Sequence, residues 1–256
     1  MICYKLTIAY EGTNYSGWQF QVNAPSIQEE LQKGLAKLLR KQKVTVIGSG
    51  RTDAGVHAKR QVAHFHHGDT VDLNLLVLAL NGILPKDIRV IEAQVAPDGF
   101  HARYSATGKI YHYYIHLGRV MDPFRRNYFA HVYLNFDFSL LRQAAQKFLG
   151  THDFTSFANE AHKGASAKNP IRTLYRLDII EEENGLHLEF EGNGFLYKMV
   201  RNITGLLIDI ATGKRRLEEI EEIFQAKDRQ KSSKAAPAKG LVLICVKYGK
   251  KDNFSH

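Results

Sequence analysis

The chain has 256 residues, 44% of them hydrophobic, with a formal charge of +9 and a sequence pI near 9.4. That length suits one large domain or two ordinary ones, and that apolar content excludes wholesale disorder. The excess of Lys and Arg favours a polyanionic partner, because phosphate contacts supply most non-specific nucleic-acid affinity. No apolar run is long enough to span a bilayer, and Met1-Ile2-Cys3-Tyr4-Lys5 lacks the basic and apolar regions of a signal peptide. A cytoplasmic protein without a membrane partner is therefore expected. Cys3 and Cys245 stand near opposite ends, have no metal-type spacing, and read as two reduced thiols rather than a disulfide.

In chain order, residues 3–10 place Tyr4, Leu6, Ile8 and Tyr10 on one face of a strand. Residues 11–21 read as a loop holding Tyr15 and Trp18, with packing the expected role for the indole. Ser26 with Glu29 three residues on is a capping box, and Ile27, Leu31, Leu35, Leu38 and Leu39 share one face of the helix that follows. A β-branched strand, 44–47, leads into the loop Gly48-Ser49-Gly50-Arg51-Thr52-Asp53-Ala54-Gly55-Val56-His57-Ala58. The next strand, 61–66, carries His64 and His66 beside His67. With no Cys, Asp or Glu at ligand spacing around them, they read as a polar sheet face rather than a zinc site. A helix over 73–84, stopped by Pro85, and a strand over 88–95 complete a βαββαβ-like half.

The second half opens with an aromatic strand, 109–115, in which Tyr111, Tyr113 and Ile115 face one side and His112 and Tyr114 the other. A basic surface loop over 119–128 and a helix over 139–149, closed by Gly150, follow. Residues 152–157 form a packed turn and 159–170 a polar loop with His162, Lys163 and Lys168. Strands 171–181 and 186–191 flank Asn184-Gly185, a strong hairpin signal. Helices over 195–212 and 217–226 come next. The Lys-, Ser- and Ala-rich stretch 227–239 reads as a mobile or RNA-facing linker, before a last strand over 241–248. The alternation predicts two α+β halves divided near residue 105.

The Gly-rich loop is the most chemical stretch of the chain. Position 53 is Asp where a dinucleotide fingerprint needs Gly, and the Gly-Lys-Ser/Thr ending of a Walker loop is missing. It is a loop that presents Arg51 and Asp53, and it is no nucleotide cradle. With an aromatic strand and a basic surface, such a loop fits several activities on nucleic acid, since every base has a face on which a ring can stack.

Seven ordered motifs narrow this. They are Tyr15-Ser16-Gly17-Trp18-Gln19, Gly50 to Ala58, Phe100-His101-Ala102-Arg103, Lys109-x-Tyr111-x-Tyr113, Asp153-Phe154-Thr155-Ser156-Phe157, Phe195-x-x-x-Met199-Val200-Arg201-Asn202-Ile203 and Gly240-Leu241-x-Leu243. Together they closely resemble the TruA family of tRNA pseudouridine synthases, from Tyr10 to Tyr248. The resemblance implies an α+β fold of two RRM-like (ferredoxin-like) subdomains, with mainly antiparallel sheets side by side and helices packed on one face. The expected division is 1–105, carrying the Asp loop, and 106–256, carrying the stacking Tyr and the helical Arg.

The activity implied is isomerisation of uridine to pseudouridine at positions 38 to 40 of the tRNA anticodon stem-loop. A homodimer, base flipping, no cofactor and no metal are implied with it. Asp53 matches the family's essential aspartate, a nucleophile; attack on the sugar, attack on the base and removal of a sugar proton all remain open. Arg201 matches the arginine that pairs with that carboxylate, Tyr111 the ring that stacks on the uracil, and Leu241 an aliphatic pocket wall. Arg51 is placed either to fill the gap left by an extruded base or to grip a flanking phosphate. The rivals are a non-catalytic RNA-binding protein on the same fold, and a nuclease or deaminase; the His-x-Glu and Pro-Cys-x-x-Cys pattern of a deaminase is absent.

Overall fold

The first strand, β1 (Ile2–Tyr10), buries Tyr4, Leu6, Ile8 and Tyr10, as its alternation predicts. The computed structural model describes residues 1–159 and 169–249, folded as two units. One is Met1–Thr107 with the chain from Val242 on, and the other is Gly108–Leu241. The expected polar-loop residues His162, Lys163 and Lys168 lie outside the described residues.

In the first unit, helix α1 (Ile27–Leu38) starts where the Ser26 side chain accepts the Glu29 N–H, so the capping box is formed. Strand β2 (Ile47–Gly48) is shorter and later than the expected 44–47. Strand β3 (His57–His67) begins inside the Gly-rich loop, four residues before the expected start at 61. Helix α2 (Leu73–Ile83) is capped by Asp72, which accepts the Leu75 N–H at 2.9 Å. Strand β4 (Ile88–Val95) then pairs antiparallel with β1, whose other edge pairs antiparallel with β3. Burial rather than helix propensity fixes α1 and α2 against each other. At Gly34 the Leu80 and Leu84 methyls come within 3.4 and 3.5 Å of where a Cβ would stand.

His64 belongs to the core of this unit and corrects the polar-face expectation. It is enclosed on β3, and its Nδ1 accepts the Ala102 N–H at 3.1 Å. Burial, with His101 and His66 close by, pushes its pKa down to about 4. Cys3 and Cys245 are both free thiols.

In the second unit, strand β5 (Ala106–Leu117) extends the expected aromatic strand at both ends. A short strand, β6 (Ala130–Val132), pairs parallel with it. Helix α3 (Phe138–Gln146) is capped by Asp137. Gly150 is not the end of that helix; it opens β7 (Gly150–Asp153) with a left-handed φ of 96°. A 3-10 turn, Thr155–Phe157, follows, then β8 (Ile171–Glu182) and β9 (Gly185–Gly192), joined at Asn184 with φ 58° as the hairpin signal predicts. Strands β5, β9, β8 and β7 lie in that order, each antiparallel to the next. Helix α4 (Met199–Ala211) starts after the expected residue 195 because Lys198 takes a left-handed φ of 60°. A short helix, α5 (Glu219–Ala226), follows.

The stretch 227–239 is not a mobile linker. It forms two 3-10 turns, Arg229–Lys231 and Ala238–Gly240, and buries Ser232, Ser233 and Ala236. It docks on α4 where Gly205 offers no side chain, since a Cβ there would overlap the Lys234 carbonyl oxygen. The last strand, β10 (Leu241–Tyr248), runs parallel to β3 in the first unit, with Val242 opposite His57 and Leu243 opposite Ala58. The sequence division carried this strand with residues 106–256; from Val242 on it pairs with β3 and belongs to the first unit. The architecture is α+β with mainly antiparallel strands.

Two expectations follow from these contacts. The folded-state pKa of His64 is depressed, so the unfolded chain takes up the proton first, and stability falls as pH drops from about 6.5 toward about 4. Thermal unfolding of His64→Gln should show a shallower fall across that window, whereas equal slopes for both proteins would contradict it. Gly205→Ala should destabilise the chain in denaturant unfolding by about 1–3 kcal/mol net, the overpacking cost outweighing the ~1 kcal/mol that Ala gains in a helix. Unchanged stability would show that the 228–237 segment is not docked on α4.

Candidate active site

The Gly-rich loop of the first unit is held from both ends by backbone. Ser49 N–H donates to the Val62 carbonyl at 2.8 Å, and the Ser49 hydroxyl donates to Gln61 Oε1 at 2.6 Å. Gln61 Nε2 returns a bond to the Gly50 carbonyl at 3.2 Å. Gly48 lies against the Trp18 indole so closely that a Cβ would stand 2.5 Å from the ring. Trp18 N–H donates to the Thr52 carbonyl at 3.1 Å, and the Thr52 hydroxyl meets the Tyr10 hydroxyl at 2.9 Å in a buried pair. Burial pushes the Tyr10 phenol up to about 12, with the bonds to Thr52 and Gln61 opposing, so it remains a neutral hydroxyl. Gly17, with φ 96°, packs its bare Cα on that same carbonyl.

These bonds place Arg51 and Asp53 on either side of an immobilised Thr52. Asp53 is half-buried, and its carbonyl accepts the Val56 N–H at 3.2 Å in a turn whose third residue, Gly55, needs its positive φ of 76°. The same Gly55 N–H donates to the Tyr15 carbonyl at 3.3 Å. Arg51 is exposed, and its Nε donates to Gln19 Oε1 at 3.1 Å. The Tyr15–Gln19 motif is therefore the brace of the loop. Trp18 packs, as expected, and Gln19, a residue of the quoted motif to which no such contact was assigned, orients Arg51.

Tyr111, Arg201 and Leu241 belong to the second unit. Tyr111 is buried on the core face of β5, with its ring edge-on to Phe195 at 5.2 Å. Arg201, in the first turn of α4, donates from Nε to the Ala236 carbonyl at 2.8 Å, and its own carbonyl accepts the Ala236 N–H at 2.9 Å. Tyr113, two residues beyond Tyr111, donates its hydroxyl to the Pro237 carbonyl at 2.8 Å. Burial raises the pKa of that phenol, and the Arg201 charge opposes the rise. Gly240 gives room for the Tyr113 ring, and Leu241 is buried directly after it. One strip, Ala236 to Leu241, thus ties the helical arginine, the aromatic strand and the aliphatic residue together.

Sequence reasoning missed what holds that strip. Arg229 Nη2 donates to Asn202 Oδ1 and to the Ser233 carbonyl, each at 2.8 Å. Asn202 Nδ2 donates to the Phe157 carbonyl at 2.8 Å, and the Ser156 hydroxyl accepts the Asp228 N–H at 2.9 Å. The Asp153–Phe157 motif, expected only as a packed turn, anchors the neighbour of Arg201 and Asp228, near the start of the stretch that leads into the strip. Asn202 follows Arg201 in the quoted motif, but its full burial, which demands a built partner set, shows only in the fold.

What the first unit can do chemically is hold a carboxylate and a guanidinium two residues apart on a loop with almost no backbone freedom. What the second can do is hold an aromatic ring, an aliphatic wall and a helical arginine on one scaffold. Among the described residues, the expected site residues fall into these two sets.

Comparison with known proteins agrees with the motifs. A family described as tRNA pseudouridine synthase matches residues 6–105 and 144–249. A protein of Protochlamydia amoebophila named tRNA pseudouridine synthase A 1 is 62% identical over 248 residues, covering 97% of each chain. Proteins named tRNA pseudouridine synthase A from Bacillus subtilis and Latilactobacillus sakei are 42% and 41% identical, covering 95% and 96% of this chain and 98% of their own. A solved chain titled Crystal Structure of a Cbf5-Nop10-Gar1 Complex aligns with 80% of this chain and 54% of its own, at a TM-score of 0.34 and 13% identity, too distant to argue from. With most of its length matched by the family and by close relatives, the chain belongs to the TruA family of tRNA pseudouridine synthases.

Proposed function

We propose that this chain isomerises uridine to pseudouridine at positions 38 to 40 of the tRNA anticodon stem-loop, with Asp53 as the essential nucleophile. The observation that carries the reading is the 62% identity over nearly the full length of a tRNA pseudouridine synthase A. Family membership makes the protein an isomerase acting on tRNA; the position in the tRNA and the residue roles are the proposal. The reaction breaks the bond between uracil N1 and ribose C1′, turns the base, and joins C5 to C1′. The C5 hydrogen leaves as a proton, and N1 ends protonated. No oxidant or reductant is consumed.

A uridine in a paired stem must leave the stack first, at a cost of a few kcal/mol. Arg51, exposed and steered by Gln19, is the group for the vacated position or a flanking phosphate. Asp53 then acts on the extruded nucleotide. The role proposed for Arg201 is that of ion-pair partner to the Asp53 carboxylate. The bond from Arg201 to the Ala236 carbonyl supports it by fixing the guanidinium's approach. Tyr111 supplies the stacking face and Leu241 an apolar wall, which keep water from the detached base. Placement of one tRNA across a homodimer, and a cytoplasmic location, complete the proposal; among the described residues no helix is long and apolar enough to cross a membrane. The charge of +9 supports an RNA substrate.

The decisive variant is Asp53→Asn, which keeps the shape of the side chain and removes its charge. Tritium release from tRNA labelled at uridine C5 should fall at least a thousandfold, while tRNA affinity in a filter-binding assay changes less than about threefold. Release near the parental rate would leave an RNA-binding protein or a different catalytic group.

A further inference from the structure

On the face of the second unit's sheet opposite the core row of Tyr113, Leu188 and Phe190, four carboxylates surround one arginine and two histidines. Glu189 on β9 stands opposite His112 on β5 and Asp178 on β8, and His187 lies two residues before Glu189 on the same side. Arg176 pairs with Asp178 at 3.2 Å, with Glu191 at 3.6 Å and with the Oε2 of Glu189. Glu182 adds a fourth carboxylate, 2.6 Å from His187 Nδ1. In a chain with a net charge of +9, this patch carries an excess of three negative charges before its histidines are counted.

The histidines present their Nε2 atoms to one oxygen. Glu189 Oε1 lies 3.3 Å from His112 Nε2 and 3.1 Å from His187 Nε2, and the three ligand atoms all fall within 4.8 Å of one another. Bonds of about 2.0–2.2 Å to a tetrahedral zinc ion put neighbouring ligand atoms about 3.3–3.5 Å apart. Two edges of that triangle are therefore already near the required length, and turning the His112 ring closes the third. The outer contacts also suit a metal. With its Nδ1–H donating to Glu182, His187 turns its Nε2 lone pair to a cation, and the carboxylate makes the imidazole a stronger ligand. His112 Nδ1 is turned to the Tyr114 hydroxyl at 3.4 Å, so its Nε2 too faces inward.

We propose that His112, His187 and Glu189 form a binding site for a first-row divalent cation of the zinc type, with Glu182 as the carboxylate that orients His187. Two imidazoles and a carboxylate are a donor set for zinc-like ions rather than for magnesium. Three protein ligands leave at least one coordination position to solvent or to a partner's side chain. The site lies on the face of β5 opposite Tyr111, and it is proposed to play no part in the isomerisation. Its role is to lock β5, β8 and β9 together across the acidic face.

Equilibrium dialysis of the metal-stripped full chain against micromolar zinc chloride near neutral pH tests this, alongside His187→Gln, Glu189→Gln and Glu182→Gln. One equivalent should bind the parent, with affinity at least tenfold lower in the first two variants and about tenfold lower in the third. Zinc should raise the thermal midpoint of the parent and not of Glu189→Gln, whose metal-free midpoint reports that it folds. Absence of bound zinc in the parent would overturn the proposal. Equal binding by the parent and by His187→Gln or Glu189→Gln would do so too, placing the ion on other groups such as Cys3 or Cys245.

Discussion

The close approach of the Trp18 indole to Gly48 is the contact on which the Gly-rich loop depends. It brings residues 12–18 alongside residues 48–57, so that Trp18 and Gly55 can exchange backbone hydrogen bonds with Thr52 and Tyr15 across the two loops. A loop normally carries conformational freedom worth about 1–2 kcal/mol per residue, all of which must be lost to hold a reacting group in place. Here that entropy is given up on folding, through glycines that admit the close contact and backbone groups that find buried partners. A group carried on such a loop has little ordering left to undergo when it meets a ligand.

The second unit solves the same problem with a strip instead of a loop brace. Arg201 sits at the start of a helix, where unpaired N–H groups and the positive end of the dipole make an arginine electrostatically unwelcome. Its anchoring to Ala236, above a Gly205 that lets the strip touch the helix backbone, holds it there regardless. Arg229 and Asn202 extend the network to the Phe157 carbonyl, and the aromatic group of Phe148, Phe154, Phe157 and Phe224 backs it. The acidic face of β5, β8 and β9 stands apart from all this. It would repel RNA phosphates, so the positive charge that favours tRNA has to be spread over other surfaces.

Patterns local in sequence were readable. Ser26 with Glu29, Asn184 with Gly185 and the Tyr4–Tyr10 alternation each depend on neighbours within a few residues, and each formed as expected. Contacts between distant segments were not readable. The 227–239 stretch has the composition of a linker, yet it docks through its own backbone carbonyls and N–H groups, which composition does not encode. His64 looked like one of a polar set because alternation fixes a face but not what covers it; the Ala102 N–H covers it. The early start of β3 at His57 escaped notice because two of its pairings, with β1 and with the last strand, come from remote chain. For the candidate site, Arg51, Asp53, Tyr111, Arg201 and Leu241 were named from the motifs, whereas the hydrogen bonds of Gln19 and Asn202, which stand in the same motifs, needed coordinates.

The central claim is that this chain isomerises uridine at one place in tRNA. Nucleotide-resolution mapping of pseudouridine in tRNA incubated with the purified protein tests it most directly. The account predicts new pseudouridine within positions 38 to 40, nowhere else, and with the RNA chain intact. Unmodified tRNA, or modification only outside the anticodon stem-loop, would contradict it.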